Sequence, residues 1–148
     1  MRAVVQRVTS AAVTINNELR RGIGTGYVIL LGVGHDDSEA LADKLWKKIF
    51  GLRIFADSDG KTNLNLSAVD GGVLIVSQFT LFANCRRGNR PSFIESAAPD
   101  HGKYLYEYFV KLARNDLDQV ETGEFGADMQ IELINDGPFT IVLDTDIL

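Results

Sequence analysis

A single cysteine, Cys85, excludes an internal disulfide framework. The only two histidines, His35 and His101, leave a Ser-His-Asp triad poorly supplied, and with one cysteine they make no convincing zinc site. No apolar run reaches the ~18 residues of a membrane span. The opening segment, Met1-Arg2-Ala3-Val4-Val5-Gln6-Arg7, is broken by polar residues and lacks the long apolar core of a signal peptide. A cytoplasmic location is therefore expected, with no membrane partner. Positive charge is also scarce: 15 Lys and Arg stand against 20 Asp and Glu, a net charge of −5. That balance argues against the broad basic footprint of most nucleic-acid-binding proteins. The exception is Arg86-Arg87-Gly88-Asn89-Arg90, a compact basic cluster. Any contact with RNA would be local to it; otherwise it is a solvated loop.

What is present is ordinary for a globular chain. The 148 residues are 45% hydrophobic and 24% charged, which fits one domain spanning 1–148. Val4, Gln6, Val8 and then Val13 and Ile15 alternate, predicting two short strands with a turn near Thr9-Ser10. Gly22 to Gly26 is a glycine-rich turn into the apolar strand Tyr27–Val33; a dinucleotide fingerprint would follow a strand rather than precede one. Asp36 and Glu39 have capping-box spacing before a helix carrying Leu41, Leu45, Trp46, Ile49 and Leu52, with Gly51 near its end. Arg53-Ile54-Phe55 reads as a strand and Asp57 to Lys61 as a turn, without the full pattern of a calcium loop. Gly71-Gly72 leads into the strand Val73–Val76. Pro99-Asp100 starts a second helix with Leu105, Phe109 and Leu112 on its apolar stripe and Tyr104 and Tyr108 alongside. Met129–Leu133 and Phe139–Leu143 read as two strands joined at Asn135-Asp136-Gly137-Pro138, a hairpin signal complicated by Pro138. The expected class is α+β, with β-sheets packed on one another in a barrel-like way and two main helices against one side.

Catalytic side chains are few. Ser77 and Thr80 are candidate nucleophiles at the end of the 73–76 strand, yet neither has an evident base. Cys85 lies beside two arginines, which favour a thiolate, but no histidine partner is evident. No metal or cofactor is expected. An enzyme built this way must rely on backbone N–H groups or on its substrate. Backbone donors can hold a developing oxyanion, each worth about 2.7–4 kcal/mol. Read without further information, residues 77–81 are a strand running into a loop.

The segments Ser77-Gln78-Phe79-Thr80-Leu81 and Asn135-Asp136-Gly137-Pro138, in this order, resemble the two signatures of the D-aminoacyl-tRNA deacylase family. Met1–Val8 is similar to its opening strand, and Arg87-Gly88-Asn89-Arg90-Pro91-Ser92-Phe93 to its basic segment. The resemblance covers essentially the whole chain. Phe139 departs from it, since a smaller β-branched residue is expected there. The resemblance implies a homodimer with its active site at the subunit interface. It implies hydrolysis of the ester of D-aminoacyl-tRNA, and of glycine mischarged on tRNA-Ala, with L-esters rejected. Gly137-Pro138, cis, would reach into the partner's pocket and block an L side chain. Phe79 and its neighbours would donate backbone N–H groups, and Gln78 and Ser77 would shape the pocket. Thr80 would position rather than attack, with the tRNA 2′-hydroxyl assisting water. Arg7 would brace the partner's Gly-Pro turn, Met129 would line the pocket, and Arg86, Arg87 and Arg90 would meet tRNA phosphates. Two other readings remain: a hydrolase of free D-amino-acid esters or N-acyl amino acids, and a dimeric RNA-binding module without hydrolysis.

Overall fold

The longest strands shape the molecule. The computed structural model describes all of residues 1–148. In chain order its elements are β1 (Arg2–Ile15), β2 (Leu19–Ile23), β3 (Gly26–Gly32), α1 (Glu39–Phe50), β4 (Phe55–Ala56), β5 (Thr62–Leu64), β6 (Gly72–Ser77), α2 (Pro99–Asp116), β7 (Val120–Thr122) and β8 (Met129–Asp144). The expected turn at Thr9-Ser10 is absent, because β1 is one continuous strand. Its first half pairs antiparallel with β3, from Arg2↔Gly32 to Val8↔Gly26. Its second half pairs with β2, from Ala11↔Ile23 to Ile15↔Leu19. Between Val8 and Ser10 the register against β8 shifts by one residue. Such a bulge bends a strand and strengthens its twist. The polar pair that reads as a turn is therefore the bend of β1.

That bend folds one sheet over itself. The order is β2-β1-β3-β6-β7, with β8 on the other edge of β1 and the small β4–β5 hairpin apart. Two separate packed sheets are thus replaced by one six-stranded sheet. The β3–β6 and β6–β7 pairings are parallel. Alternate residues of β3 and β6 face opposite ways. Tyr27, Ile29, Leu31, Val73 and Ile75 join the larger core with α1 and α2. Val28, Leu74 and Val76 pack instead with Val8, Ala11, Val13, Ile15 and Ile23, the curled-over strands. β6 is buried on both faces, which explains its unbroken apolar run. Arg21 Nη1 of β2 donates to Thr122 O and Oγ1 of β7 at 3.0 and 3.1 Å, nearly closing the barrel. Gly26, with φ +154°, lies so close to β6 that a Cβ there would sit 1.8 Å from the Gly72 carbonyl oxygen.

Both helices lie on one side, as expected. α1 buries Ala42, Leu45, Trp46 and Ile49; α2 buries Leu105, Tyr106, Phe109, Val110 and Ala113. Burial of the large apolar side chains among them, such as Leu45, Ile49, Leu105 and Phe109, contributes about 1.5–3 kcal/mol each. Leu112 is only partly buried, at the edge of the stripe. Pro99 occupies the first turn of α2, where its missing N–H costs nothing. The capping box at Asp36 does not form. Ser38 is the N-cap, so Glu39 opens the helix instead of sitting three residues in. Asp37 is the acid in use here: it accepts from Gly34 N at 2.6 Å and pairs with the Met1 amine at 2.5 Å. The strand expected at Arg53–Phe55 contracts to β4, because Arg53 turns aside to the carbonyl and side chain of Asn63.

The largest revision concerns residues 129–144. They form one strand, β8, whose two halves both pair with β1. There is no hairpin. From Gln6↔Thr140 to Val8↔Asn135, two steps on β1 face five on β8. The surplus residues, centred on Asp136-Gly137-Pro138, are extruded from the sheet edge. No helix of the fold is long and apolar enough to cross a membrane.

Candidate active site

The first signature begins where β6 ends. Ser77 is the last residue of that strand, paired with Leu31 of β3, and Gln78 N donates to Leu31 O at 2.8 Å. The chain then tightens into a 3-10 turn over Phe79–Phe82. Its first internal bond runs from Leu81 N to Gln78 O, 3.2 Å. The amides of Phe79 and Thr80 precede that bond and have no acceptor within the turn, as at the start of any helical segment. The segment is thus rigid below and open above. Phe79 is 55% exposed and meets Phe93 edge-on, with centroids 5.1 Å apart. Arg2 Nη1 donates to Leu81 O at 3.1 Å and stacks over Phe82, tying the turn to β1.

Neither hydroxyl has a base. Thr80 Oγ1 accepts from the Gln78 side-chain amide. No histidine or carboxylate bonds to Ser77 or Thr80. His35 Nε2 is engaged with Ile94 O, and His101 Nε2 with Asp37 O at 2.9 Å. Cys85 is exposed in the following loop. Arg86, Arg87 and Arg90 stand exposed in the same loop, closed at its base by the Asn84–Ser92 bridge, and none is in an ion pair.

The second signature is the extruded part of β8. The Gly137–Pro138 peptide is cis and Gly137 has φ +124°. Both residues are exposed. Side chains on β1 hold the bulge at its root. Arg7 Nε donates to Asp136 O at 3.1 Å and lies 3.0 Å from Asp136 Oδ2. Its Nη1 donates to Ile54 O, and its guanidinium lies 4.8 Å from the Phe139 ring centre. Gln6 Oε1 accepts from Asn135 Nδ2 at 2.8 Å and Thr140 Oγ1 at 2.5 Å. The resemblance sets Arg7 against a partner's turn; here it braces the turn of its own chain. Phe139, where the resemblance predicts a smaller β-branched residue, supplies the ring under that guanidinium. Tyr27, paired with Arg7 across the sheet, has its phenol pushed up by burial, an effect the Arg7 charge opposes.

Within the chain the two signatures do not meet. No hydrogen bond or ion pair joins residues 135–140 to residues 77–81. Arg7 is level with Tyr27 and Val73, whereas Ser77 ends the same strand four residues on. That is about 13 Å along the strand, with further strand spacings across the sheet.

Met129 opens β8 and lies over Gly123: a Cβ on Gly123 would be 2.5 Å from the Met129 sulfur and 3.7 Å from Val76 Cγ1. It therefore sits by the end of β6. Gly123 also lines a cavity of about 390 Å³ between α2 and β7, with Lys103, Tyr106, Glu107, Arg114 and Phe125. Tyr106 OH donates to Ile75 O at 2.8 Å, and burial pushes its pKa up to about 12. Sequence reading missed this cavity. Its residues are far apart in the chain, and no local pattern links them.

Comparison with known proteins places these features in a family. A family model described as D-Tyr-tRNA(Tyr) deacylase matches residues 4–144. A D-aminoacyl-tRNA deacylase of Thermosipho melanesiensis is 54% identical over 146 residues, covering 98% of this chain and 97% of that protein. One of Salmonella newport is 52% identical over 143 residues, covering 97% and 99%. A solved structure named c-Myc DNA Unwinding Element Binding Protein superposes with a TM-score of 0.91 at 37% identity, covering 97% of this chain and 98% of that one. A second, named as a probable eukaryotic D-amino acid tRNA deacylase, shares the fold at TM-score 0.84 and 18% identity, covering 96% and 97%.

Proposed function

The chain belongs to the D-Tyr-tRNA(Tyr) deacylase family, and from that membership we propose that it hydrolyses the ester of D-aminoacyl-tRNAs, and of glycine mischarged on tRNA-Ala, while sparing L-esters. The full-length match to relatives bearing that name carries the reading. The site supports its chemistry. The acyl group sits over the turn after β6, where the free amides of Phe79 and Thr80 hold the developing oxyanion. Ser77 and Gln78 shape the pocket, Gln78 fixes the Thr80 hydroxyl, and Met129 lines it. Thr80 positions and does not attack, in keeping with the absence of a base beside it. Water is activated with help from the neighbouring ribose 2′-hydroxyl of the tRNA.

The working form is a homodimer with the active site at the interface. The support is geometric. The Gly137-Pro138 tip is exposed, braced from behind by Arg7, and distant from its own chain's Ser77–Leu81 turn. A second subunit can receive it. The tip carbonyls then occupy the space of an L side chain, so that only glycine or a D side chain fits; a fixed backbone obstacle rejects better than a mobile rotamer. Arg86, Arg87 and Arg90 contact tRNA phosphates beside the site. The reaction takes place in the cytoplasm.

Paired deacylation of D-Tyr-tRNA and L-Tyr-tRNA at catalytic protein concentration tests this. Rapid loss of the D-ester with the L-ester spared is expected; loss of both marks an unselective esterase. A binding role without hydrolysis has one observation in its favour: the 37%-identical structure is named for binding a DNA element. It predicts nucleic-acid binding with neither ester lost.

A further inference from the structure

A second basic surface lies away from the Arg86–Arg90 loop. Lys44, Lys47, Lys48 and Arg53 line a concavity of about 480 Å³ with Gly51 and Leu52. No carboxylate lines it. In a chain of net charge −5 this is a local concentration of cations. The ion pairs of the fold use the Met1 amine, Arg2, Arg7, Arg20 and Lys103, and none uses these four side chains.

The nearby acids are engaged elsewhere. On α1, Glu39 accepts from Tyr104 OH and Asp43 from Tyr108 OH, so the acids of that helix turn toward α2. Asp57 accepts from the Asp59 and Lys61 amides and from Asn63 Nδ2, and the Lys61 amide holds its carboxyl below the usual range. Arg53 is fixed in place by the carbonyl and side chain of Asn63. Lysines in the last turn of a helix also favour its dipole, which accounts for Lys47 and Lys48. Lys44, a turn earlier, donates to Leu148 O, and Arg53, beyond the helix end, to Asn63, which carries no charge.

Position gives the cluster its meaning. Arg53 precedes Ile54, whose carbonyl accepts from Arg7, and Arg7 holds the root of the Gly137-Pro138 bulge. The Arg53 end of the concavity is therefore linked to the bulge through Ile54 and Arg7. We infer that Lys44, Lys47, Lys48 and Arg53 form a second RNA-phosphate contact, which holds the backbone of the tRNA whose aminoacyl end occupies the partner subunit's site. This rests on the dimeric deacylase reading above. One tRNA would then touch both subunits: the Arg86–Arg90 loop of one and the Lys44–Arg53 concavity of the other.

The test compares the parent with the combined variant K44Q/K47Q/K48Q/R53Q, and with K111Q as a control on α2. Uncharged tRNA binding is measured across a salt series, alongside hydrolysis of D-Tyr-tRNA and of the D-tyrosyl ester of adenosine. The combined variant is expected to bind tRNA about tenfold or more weakly. Its slope of log K against log salt should be shallower by about 0.7–0.9 for each phosphate no longer neutralised. KM for D-Tyr-tRNA rises, while kcat and adenosine-ester hydrolysis stay at the parent's values. K111Q matches the parent. Unchanged tRNA affinity and slope would overturn the inference, as would an equal loss on the adenosine ester. A variant that alters only inhibition by inorganic phosphate would overturn it too, assigning the concavity to the free ion. If the parent leaves D-Tyr-tRNA intact, the deacylase reading falls, yet the binding series still decides whether the concavity holds RNA.

Discussion

The Ser77–Leu81 turn and the Asn135–Thr140 bulge reach the surface by opposite means. The first rides on β6, a strand buried on both faces, and presents backbone amides without an acceptor in the turn at the strand end. The second leaves an edge strand altogether and is held only from below, by Arg7 and Gln6. One is positioned by the core and the other by a few polar side chains. The first should therefore fail only when the sheet fails. The second should fail when a single brace is cut, with the fold intact.

The largest effect should come from striking the sheet under the first segment. Gly26→Ala would drive a Cβ into the Gly72 backbone, at a φ that L residues rarely adopt. A loss above about 4 kcal/mol is expected, seen as insoluble protein or as a collapsed denaturation midpoint. A stable Gly26→Ala protein would show that β3 and β6 can part without cost. Next comes the brace. Arg7→Ala removes the Asp136 and Ile54 contacts and the cation over Phe139. Misplacement of about 1 Å can cost about 10²-fold, so kcat/KM for D-Tyr-tRNA should fall by roughly that factor with cooperative unfolding retained. Unfolding of this variant would erase the contrast between the two regions.

Thr80→Ala should matter less. On the proposed reading Thr80, with no base beside it, orients rather than attacks, and kcat should fall by no more than about tenfold. Removal of a true nucleophile costs about 10⁴-fold or more, so single-turnover kinetics separate the two roles. The smallest effect is on the scaffold behind β6. Tyr106 has its pKa raised by burial from 10.0 to about 12. The folded state keeps the phenol proton where the unfolded chain has lost it. Stability is therefore full below about pH 10 and declines toward pH 12, by at most about 1.4 kcal/mol per pH unit for this group. Tyr106→Phe should flatten that decline in denaturant titrations, and an unaltered slope would assign it to Tyr27 or another group.

The same contrast governs what could be read from sequence. Core-mounted parts are legible. The runs Tyr27–Val33 and Val73–Val76 read as buried strands because burial on both faces leaves an unbroken apolar run, and the stripes of α1 and α2 follow from their periodicity. Parts set by edge register are not. Thr9-Ser10 looks like a turn and is a bulge; Asn135-Asp136-Gly137-Pro138 looks like a hairpin and is an extrusion from one strand. Local composition marks both as irregular but cannot tell a reversal from a surplus. That depends on which residues of β1 lie opposite. β2 escapes sequence reading because Leu19-Arg20-Arg21-Gly22 carries little apolar pattern and owes its place to pairing with β1. The cavity residues Tyr106, Gly123 and Phe125, and the partner of Arg7, depend on long-range contacts that no motif encodes.

The only tryptophan of the chain, Trp46, is fixed between the two helices. Its indole N–H donates to Asp116 Oδ2 at 2.8 Å, and its ring meets Phe109 edge-on at 5.6 Å. It belongs to the core on the helical side and to neither signature. Its emission is thus a built-in optical gauge of helix docking on the sheet. A substitution at the bulge that abolishes turnover while leaving the Trp46 spectrum unchanged has altered the site alone. One that shifts the spectrum to the red has released α2 from α1, and its kinetics describe a different molecule.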